Sequence, residues 1–173
     1  MEEIILVDSS DRQTGTGEKH EVHRTGALHR SFSIFIFNSR GQLLLQQRAQ
    51  AKYHSGGTWS NTCCSHPRVG EQLEAATHRR LREEMGFDCA LHEAFTFIYK
   101  IQLDNGFTEH EYDHVFIGHF DGEPAPNPAE VGDWQWIAPE ALKKEVAAHP
   151  ERYTYWMLTA LDRAVQAAQT KKR

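Results

Sequence analysis

The sequence predicts an α/β (α+β) fold, in which strands and helices build one domain over residues 1–173. Three observations predict it. Residues 59–87 read as a strand, a turn and a helix, residues 31–48 read as two β-forming segments around a turn, and the chain closes with two helical segments. A length of 173 residues suffices for one well-buried core and is short for two.

The central unit, residues 59–87, has clear start and stop signals. Its β-forming residues end at Pro67, which cannot donate to a strand ladder and favours a turn. Helix formers then surround apolar residues at three- to five-residue spacing, namely Leu73, Ala76, Leu81 and Met85. Gly86 stands where a left-handed cap ends a helix. A helix over residues 71–85 follows.

The segments before this unit are predicted from local patterns. Residues 4–7 form a short apolar strand, and residues 31–37 and 42–48 form a hairpin. Residues 14–30 lack a hydrophobic period, so we expect a solvated loop there, with His20 in solvent.

After the central unit, two long strands are predicted over residues 94–101 and 107–120, joined by a tight Asp-Asn-Gly turn. Alternation along the second strand puts Glu109, Glu111 and Asp113 on one face. Acids so spaced on a strand usually form a polar surface. Here they also offer a set of carboxylates whose mutual repulsion a bound cation would relieve.

The C-terminal third continues the same domain, because too little chain remains for a second core. Residues 130–137 form a strand with Trp134 and Trp136 on one side, and Pro139 begins a helix. An amphipathic helix over residues 153–168 follows, and residues 170–173 are expected to fray.

Composition narrows the class of partner. A net charge of -5 argues against nucleic acid, although 11 histidines are many. The longest apolar run is too short to span a membrane and the first residues are acidic, so we expect no membrane association and a cytoplasmic location. Three cysteines, two of them adjacent, make no disulfide framework. Both a monomer and a homodimer stay open.

Charged residues on the central helix carry the first motif. Residues 65–87 resemble the Nudix box, and the positions that fit are Glu71, Arg79, Leu81, Glu83, Glu84, Gly86 and Phe87. Ser65 replaces the first glycine of the box, and Arg80 replaces the glutamate that follows arginine in the hydrolytic members. The resemblance implies a mixed β-sheet flanked by helices.

Arg80 changes what this helix face can do. In Nudix hydrolases, three carboxylates hold divalent metal against a diphosphate and ready a water for attack. A guanidinium binds a diphosphate as a bidentate donor, but it neither holds a second cation nor deprotonates water. We therefore expect this box to bind a diphosphate without cleaving it.

A second motif lies just upstream, where residues 61–67 read NTCCSHP. Together with Arg80 it resembles the type 1 isopentenyl diphosphate isomerases, and the resemblance covers residues 7–161. The family's Glu-Lys-x-x-x-His, Leu-His and Glu-x-Glu patterns match residues 18–23, 28–29 and 109–111.

The resemblance implies a metal centre and two proton carriers. The proton carriers are Cys64 and Glu111, and Cys63 should face the other side of its strand. One Mn²⁺ or Zn²⁺ would take its nitrogen and oxygen ligands from His23, His29, His66, Glu109 and Glu111. Half of a structural zinc site over residues 63–66 is the alternative, but the second ligand pair that it needs is missing, since Cys89 is the only thiol outside this segment.

The resemblance also implies a substrate site. The cations for the diphosphate are Lys19, Arg48, Lys52 and Arg80. Glu84 would hold the Mg²⁺ that neutralises this group. Tyr99 and Trp156 are assigned to substrate binding, where an aromatic face stabilises a carbocation. Without the resemblance, Arg48 and Lys52 would be solvated surface and Trp156 would be core.

Three classes of function follow. The first is an isomerase that interconverts isopentenyl and dimethylallyl diphosphate through a tertiary carbocation. The second is a Nudix diphosphohydrolase, against which Arg80 weighs. The third is a catalytically dead, metal-holding binding domain, against which the combination of thiol, histidines and paired glutamates weighs. All three take a small-molecule diphosphate.

Overall fold

The computed structural model describes residues 1–170, which form nine β-strands and four α-helices. The strands are β1 (Glu3–Val7), β2 (Gln13–Glu18), β3 (His29–Phe37), β4 (Leu43–Arg48), β5 (Trp59–Ser60), β6 (Cys63–Ser65), β7 (Leu91–Gln102), β8 (Thr108–His119) and β9 (Val131–Ile137). The helices are α1 (Lys19–Thr25), α2 (Leu73–Met85), α3 (Pro139–Ala148) and α4 (Tyr155–Thr170). The predicted α/β class is confirmed.

The strands form one mixed sheet, as predicted, with β3 near its centre. β3 runs parallel to β8 and antiparallel to β6 and β1. β8 pairs antiparallel with β7, while β4 pairs antiparallel with β9 and β5. The parallel ladder between β3 and β8 brings residues 82 positions apart in sequence into the same rows of the sheet.

Both faces of the sheet are covered, so β3 is apolar on both sides. Phe35 and Phe37 point to one face, where the core includes residues of α3 and α4. Ile34 and Ile36 point to the other, where the core includes residues of α2.

The helix of the central unit forms as predicted, but the predicted single strand is two short strands, β5 and β6, which pair with β4 and β3. α2 ends at Met85, and Gly86 adopts a left-handed conformation with φ of 72°. Its backbone N–H donates to the carbonyl of Arg82. A β-carbon on Gly86 would lie 2.2 Å from the backbone oxygen of Ala125, so glycine is required there twice over.

The prediction of a solvated loop over residues 14–30 is wrong. This segment forms β2, which pairs along β1, and then α1, capped by the Glu18 carboxylate that accepts from the Glu21 N–H. α1 was missed because Val22 is its one buried apolar residue, and its other buried residue is the polar His23. His20 is exposed, as expected.

The predicted hairpin over residues 31–48 holds only near its turn. β3 and β4 share one register pair, Phe37 with Leu43, and then diverge. The reason is competition, because β6 and β8 occupy the two edges of β3. Of the predicted frayed tail, Thr170 closes α4, and residues 171–173 lie outside the described part of the chain. Over residues 1–170, no helix is long and apolar enough to cross a membrane.

Candidate active site and metal centre

Strand register brings three predicted residues into one row of the sheet. Tyr99 on β7 lies opposite Glu111 on β8, which lies beside His29 on β3. The Tyr99 hydroxyl donates to Glu111 Oε2 at 2.7 Å, and His29 Nε2 lies 3.4 Å from Glu111 Oε1. The alternation predicted for β8 is confirmed, since Glu109, Glu111 and Asp113 are all buried.

β6 and the turn after it position Cys64 and His66. Cys64 lies opposite Ser33 of β3 and lines the pocket, while Cys63 is buried in the apolar core on the other face, as predicted. Pro67 follows His66, whose Nε2 lies 3.2 Å from Glu111 Oε1. The turn that ends β6 therefore directs the His66 imidazole toward Glu111 of β8.

α1 supplies the remaining histidine. His23 is fully buried, and its Nε2 lies 3.0 Å from Glu109 Oε1. The helix is fixed against β8 at its C-terminal end, where the His110 ring donates from Nδ1 to the carbonyl of Gly26 at 2.9 Å. This contact sets the distance between α1 and the two glutamates.

Hydrogen bonds to backbone carbonyls settle which nitrogens of two histidines carry protons. Nδ1 of His23 lies 2.6 Å from the Lys19 carbonyl, and Nδ1 of His29 lies 2.9 Å from the Ala27 carbonyl. A carbonyl only accepts, so each Nδ1 carries a proton and each Nε2 is left facing a carboxylate oxygen. Burial lowers the pKa of His23, but the hydrogen bond and charge of Glu109 outweigh it and raise that pKa. A proton or a metal cation therefore belongs between each Nε2 and its carboxylate.

Unpaired buried atoms support the same conclusion. Within residues 1–170, the buried side-chain atoms without a hydrogen-bond partner include His23 Nε2, His29 Nε2, His66 Nδ1 and Glu109 Oε2. Buried polar atoms are normally paired, because an unpaired one costs about 1–3 kcal/mol. Imidazole and carboxylate donors suit a divalent transition metal, and these residues therefore fit the predicted centre.

The donors form two overlapping groups. Ligand atoms of His23, His29, His66 and Glu111 lie within 4.8 Å of one another. A second group within the same distance joins His23 and Glu109 to His54, a residue that the sequence did not single out. The five predicted ligands are thus brought together, but Glu109 stands in a different group from His29 and His66.

Burial and neighbouring side chains shift the pKa of Glu111 in opposite directions. Burial raises the pKa of Glu111, but the adjacent imidazoles of His29 and His66 outweigh it and hold the pKa well below its usual range. Burial lowers the pKa of His66 to about 4. Glu111 is therefore a carboxylate and His66 a neutral imidazole near neutral pH.

Cys64 has the opposite character. Burial, with the nearby Asp113, raises the pKa of its thiol to about 12, so it is protonated near neutral pH. The thiol donates to Asn61 Oδ1 at 3.1 Å, and the Asn61 amide is oriented by its own donation to the Ile34 and Cys63 carbonyls. Ser33 Oγ lies 3.5 Å from the sulfur and donates to Asp113 Oδ2 at 2.7 Å.

A single pocket with about 450 Å³ of empty space collects most predicted residues. It is lined by Lys19, Arg48, Lys52, Cys64, His66, Arg80, Tyr99, Glu109, Glu111 and Trp156. The pocket also has Tyr53, His54 and Ser65 in its wall. Of the predicted site residues, His23, His29 and Glu84 lie outside this wall, and the two histidines are fully buried beside the wall glutamates Glu109 and Glu111.

Two lysines of this pocket already pair with carboxylates, while Arg48 contacts a carbonyl and an aromatic ring. Lys19 pairs with Glu2 at 3.0 Å, and Lys52 pairs with Glu130. Arg48 donates to the His54 carbonyl at 3.1 Å, and its guanidinium lies 5.6 Å from the Trp156 ring. An anionic substrate would therefore meet preassembled cations and compete with carboxylates for them.

The Nudix-box helix adds an ion-pair cluster. Arg80 donates to Glu83 at 2.7 Å and to Glu84 at 2.5 Å, which confirms that the three share a face of α2. Glu84 is buried, and its other oxygen accepts from Gln46 at 2.8 Å. Glu84 thus lies behind Arg80, and a Mg²⁺ ion at Glu84 would share its outer oxygen with this arginine.

Sequence reasoning missed three polar residues of the site. His54 contacts Glu109, Asp113 lies beside Ser33 near Cys64, and Glu130 pairs with Lys52. Asp113 could have been found, since alternation put it on the face of Glu109 and Glu111. His54 and Glu130 lie in loops, where no periodicity gives their direction.

Known proteins resemble this chain in both sequence and fold. Residues 27–157 match the NUDIX domain family. The protein named Isopentenyl-diphosphate Delta-isomerase 2 of Photorhabdus laumondii subsp. laumondii is 54% identical over 157 residues, which cover 90% of this chain and 89% of that protein. The protein of the same name from Aromatoleum aromaticum is 51% identical over 164 residues, covering 95% of this chain and 87% of that protein.

Two solved structures support the fold. DR0079 from Deinococcus radiodurans gives a TM-score of 0.72 at 24% identity, covering 85% of this chain and 90% of that one. The MutT protein from Methanosarcina mazei Go1 gives 0.65 at 17% identity, covering 84% and 96%. At these identities the likeness concerns the fold alone. The extent and level of sequence identity to the two relatives decide the rest: this chain belongs to the NUDIX family and, within it, to the isopentenyl-diphosphate Delta-isomerases.

Proposed function

We propose that this protein interconverts isopentenyl diphosphate and dimethylallyl diphosphate, with Cys64 and Glu111 as the proton carriers. The observation that carries the proposal is that a protonated thiol and an ionised carboxylate line one pocket. The same pocket is bordered by the four predicted diphosphate cations. An acid, a base and an anion subsite are what this reaction needs.

The chemistry is one proton gained and one proton lost. The terminal methylene of the substrate gains a proton, a tertiary carbocation forms, and an adjacent carbon loses a proton as the double bond moves. Near neutral pH, Cys64 starts with a proton to give and Glu111 starts able to take one. No electrons are exchanged, so the reaction needs no redox cofactor.

The pocket wall suits a carbocation. The Trp156 and Tyr99 rings are stacked with centroids 6.4 Å apart, and both residues are buried. Aromatic faces attract cations, and a wall that excludes water protects the carbocation from hydration. These two rings are our candidates for contact with the carbon skeleton.

The metal centre belongs to the same proposal. His23, His29, His66, Glu109 and Glu111 would hold one Mn²⁺ or Zn²⁺. When bound, a divalent ion polarises the carboxylate of Glu111 and so tunes its proton affinity. Tyr99 keeps the other oxygen of Glu111 oriented through its hydroxyl.

The diphosphate would lie against Lys19, Arg48, Lys52 and Arg80. Glu84 is the candidate ligand for a Mg²⁺ ion that enters with the substrate, because its outer oxygen lies on the side of Arg80. Arg80 itself offers donors to the diphosphate, and it leaves this helix face without the third carboxylate of the hydrolytic box.

Incubation with isopentenyl diphosphate and Mg²⁺ in D₂O tests the proposal, with nuclear magnetic resonance to identify the products. We expect dimethylallyl diphosphate that carries deuterium at the methyl group formed from the methylene. Release of inorganic phosphate would support the hydrolase instead. No conversion by metal-loaded protein would contradict the proposal and favour a binding domain.

A further inference from the structure

His54 is a buried imidazole that touches both the metal centre and the substrate pocket. Its Nε2 lies 2.9 Å from Glu109 Oε1, and its Nδ1 lies 3.2 Å from the hydroxyl of Ser55. The backbone carbonyl of His54 accepts from Arg48, and its ring meets the Trp156 ring edge-on at 5.9 Å. Neither the sequence motifs nor the proposed ligand set uses it.

The position of His54 separates it from the ligands. It shares a group with His23 and Glu109, but it stands outside the group that His23 forms with His29, His66 and Glu111. An ion held by His23, His29, His66 and Glu111 would therefore have its ligands without His54.

The proton of His54 is on the nitrogen that faces Glu109. At 2.9 Å from a carboxylate oxygen, which only accepts, Nε2 is a protonated nitrogen, and Nδ1 lies within hydrogen-bond distance of the Ser55 hydroxyl. His23 and His29 differ, since their Nδ1 atoms donate to backbone carbonyls.

These contacts divide the two oxygens of Glu109 between two tasks. Oε1 accepts from His54 and also lies 3.0 Å from His23 Nε2, while Oε2 is buried and has no hydrogen-bond partner within residues 1–170. We propose that His54 is a positioning residue of the metal centre, which holds Glu109 through Oε1 and presents Oε2 to the ion. This inference rests on the proposed metal centre. Residues that orient metal ligands in this way typically change metal affinity about 10–100-fold when they are lost.

Metal affinity of purified variants tests the inference, measured as Zn²⁺ and Mn²⁺ competition against a coloured chelator. We expect His54→Ala to weaken affinity about 10–100-fold. His54→Gln should stay within about threefold of wild type, because an amide N–H at similar reach can still donate to Glu109. His20→Ala is the matched control, since His20 is an exposed imidazole that packs on the neighbouring Tyr53, and it should leave affinity unchanged.

The outcomes separate the inference from the proposal beneath it. A wild-type protein that binds no transition metal would overturn the metal centre and this inference with it. Tight binding by both wild type and His54→Ala would leave the centre standing and overturn the role of His54. Equal losses in His54→Ala and His54→Gln, with both variants folded by circular dichroism, would mean that the N–H donation is not what matters.

Discussion

The two ends of the pocket leave buried atoms of opposite kinds unpaired. At the metal end, where the predicted metal ligands lie, the unpaired buried atoms within residues 1–170 include those of His23, His29 and Glu109. At the cation end they are N–H donors, namely Nε of Arg48, Nε of Arg80 and Nε1 of Trp156. Buried atoms without partners destabilise a fold, so each set indicates a ligand of matching character. One end is built for a cation and the other for an anion.

The ends also differ in how charge is balanced without a ligand. At the cation end, glutamates neutralise Lys19, Lys52 and Arg80, and these contacts are partly exposed. At the metal end, Glu109 and Glu111 are nearly fully buried and face imidazoles. We therefore expect changes at the metal end to affect metal content and turnover, and changes at the cation end to affect substrate affinity.

The largest effect should come from the thiol between the two ends. Cys64→Ala removes a proton carrier, and we expect turnover to fall about 10²–10⁴-fold with little change in the Michaelis constant. Cys63→Ala is the matched control, because Cys63 lies on the other strand face in the core and does not line the pocket. Steady-state assays with isopentenyl diphosphate measure both. Equal losses in the two variants would contradict the assignment of Cys64.

A ligand change at the metal end should come next. His23→Ala removes a buried donor, and we expect metal affinity to fall at least about 100-fold, with activity lost in step. Mass spectrometry of the purified protein measures the metal content. Glu111→Gln should instead eliminate turnover, because it removes both a ligand and a proton carrier. A His23→Ala protein with its full metal complement would count against the five-ligand centre.

The metal end could be predicted closely from sequence because its residues sit on regular elements. Alternation on β8 gives the common face of Glu109 and Glu111, and the turn at Pro67 gives the direction of His66. Family motifs supplied His23 and His29, which local patterns alone had left in a loop. The helix under His23 was missed because its buried face is one valine and one histidine, and hydrophobic periodicity does not register a buried polar residue.

Contacts between residues that are distant in sequence could not be predicted from local patterns. His54 lies 55 positions before Glu109 and in a loop, so nothing local connects them. Glu130 reaches Lys52 and Arg80 from the loop before β9. The predicted extended pairing of β3 with β4 was wrong for the same reason, since β3 pairs with β6 and β8 instead. Sequence patterns predict which elements form, but not which of two strands pairs with a given strand.

At the cation end, Arg80→Glu should weaken substrate binding. The change removes a bidentate donor and adds a fourth carboxylate beside Glu83, Glu84 and Glu130. Each lost charge-assisted bond is worth about 1.5–3 kcal/mol, so the Michaelis constant should rise at least about tenfold at saturating Mg²⁺. This constant reports affinity only when chemistry is slow relative to substrate release.

Arg82→Glu is the control for this change. Arg82 lies on the exposed face of α2 and pairs with Asp88, so its Michaelis constant should stay near that of wild type. Arg80→Gln separates the lost donor from the added repulsion. Unchanged constants in Arg80→Glu would mean that this guanidinium does not meet the substrate, and the argument against the hydrolase would lose its basis.

The smallest effect should come from Glu130, and it has the opposite sign. Glu130 pairs with Lys52 and lies 3.6 Å from Arg80, so a bound diphosphate competes with it for two cations. Glu130→Gln keeps the shape and an acceptor but removes the charge. Partly exposed ion pairs are worth about 0.2–1 kcal/mol, and the Michaelis constant should therefore fall about 1.4- to 5-fold. The exposed Glu123→Gln makes the same change of charge outside the pocket wall and should have no effect. A rise in the constant for Glu130→Gln alone would show that this carboxylate positions Lys52 for the substrate and does not compete with it.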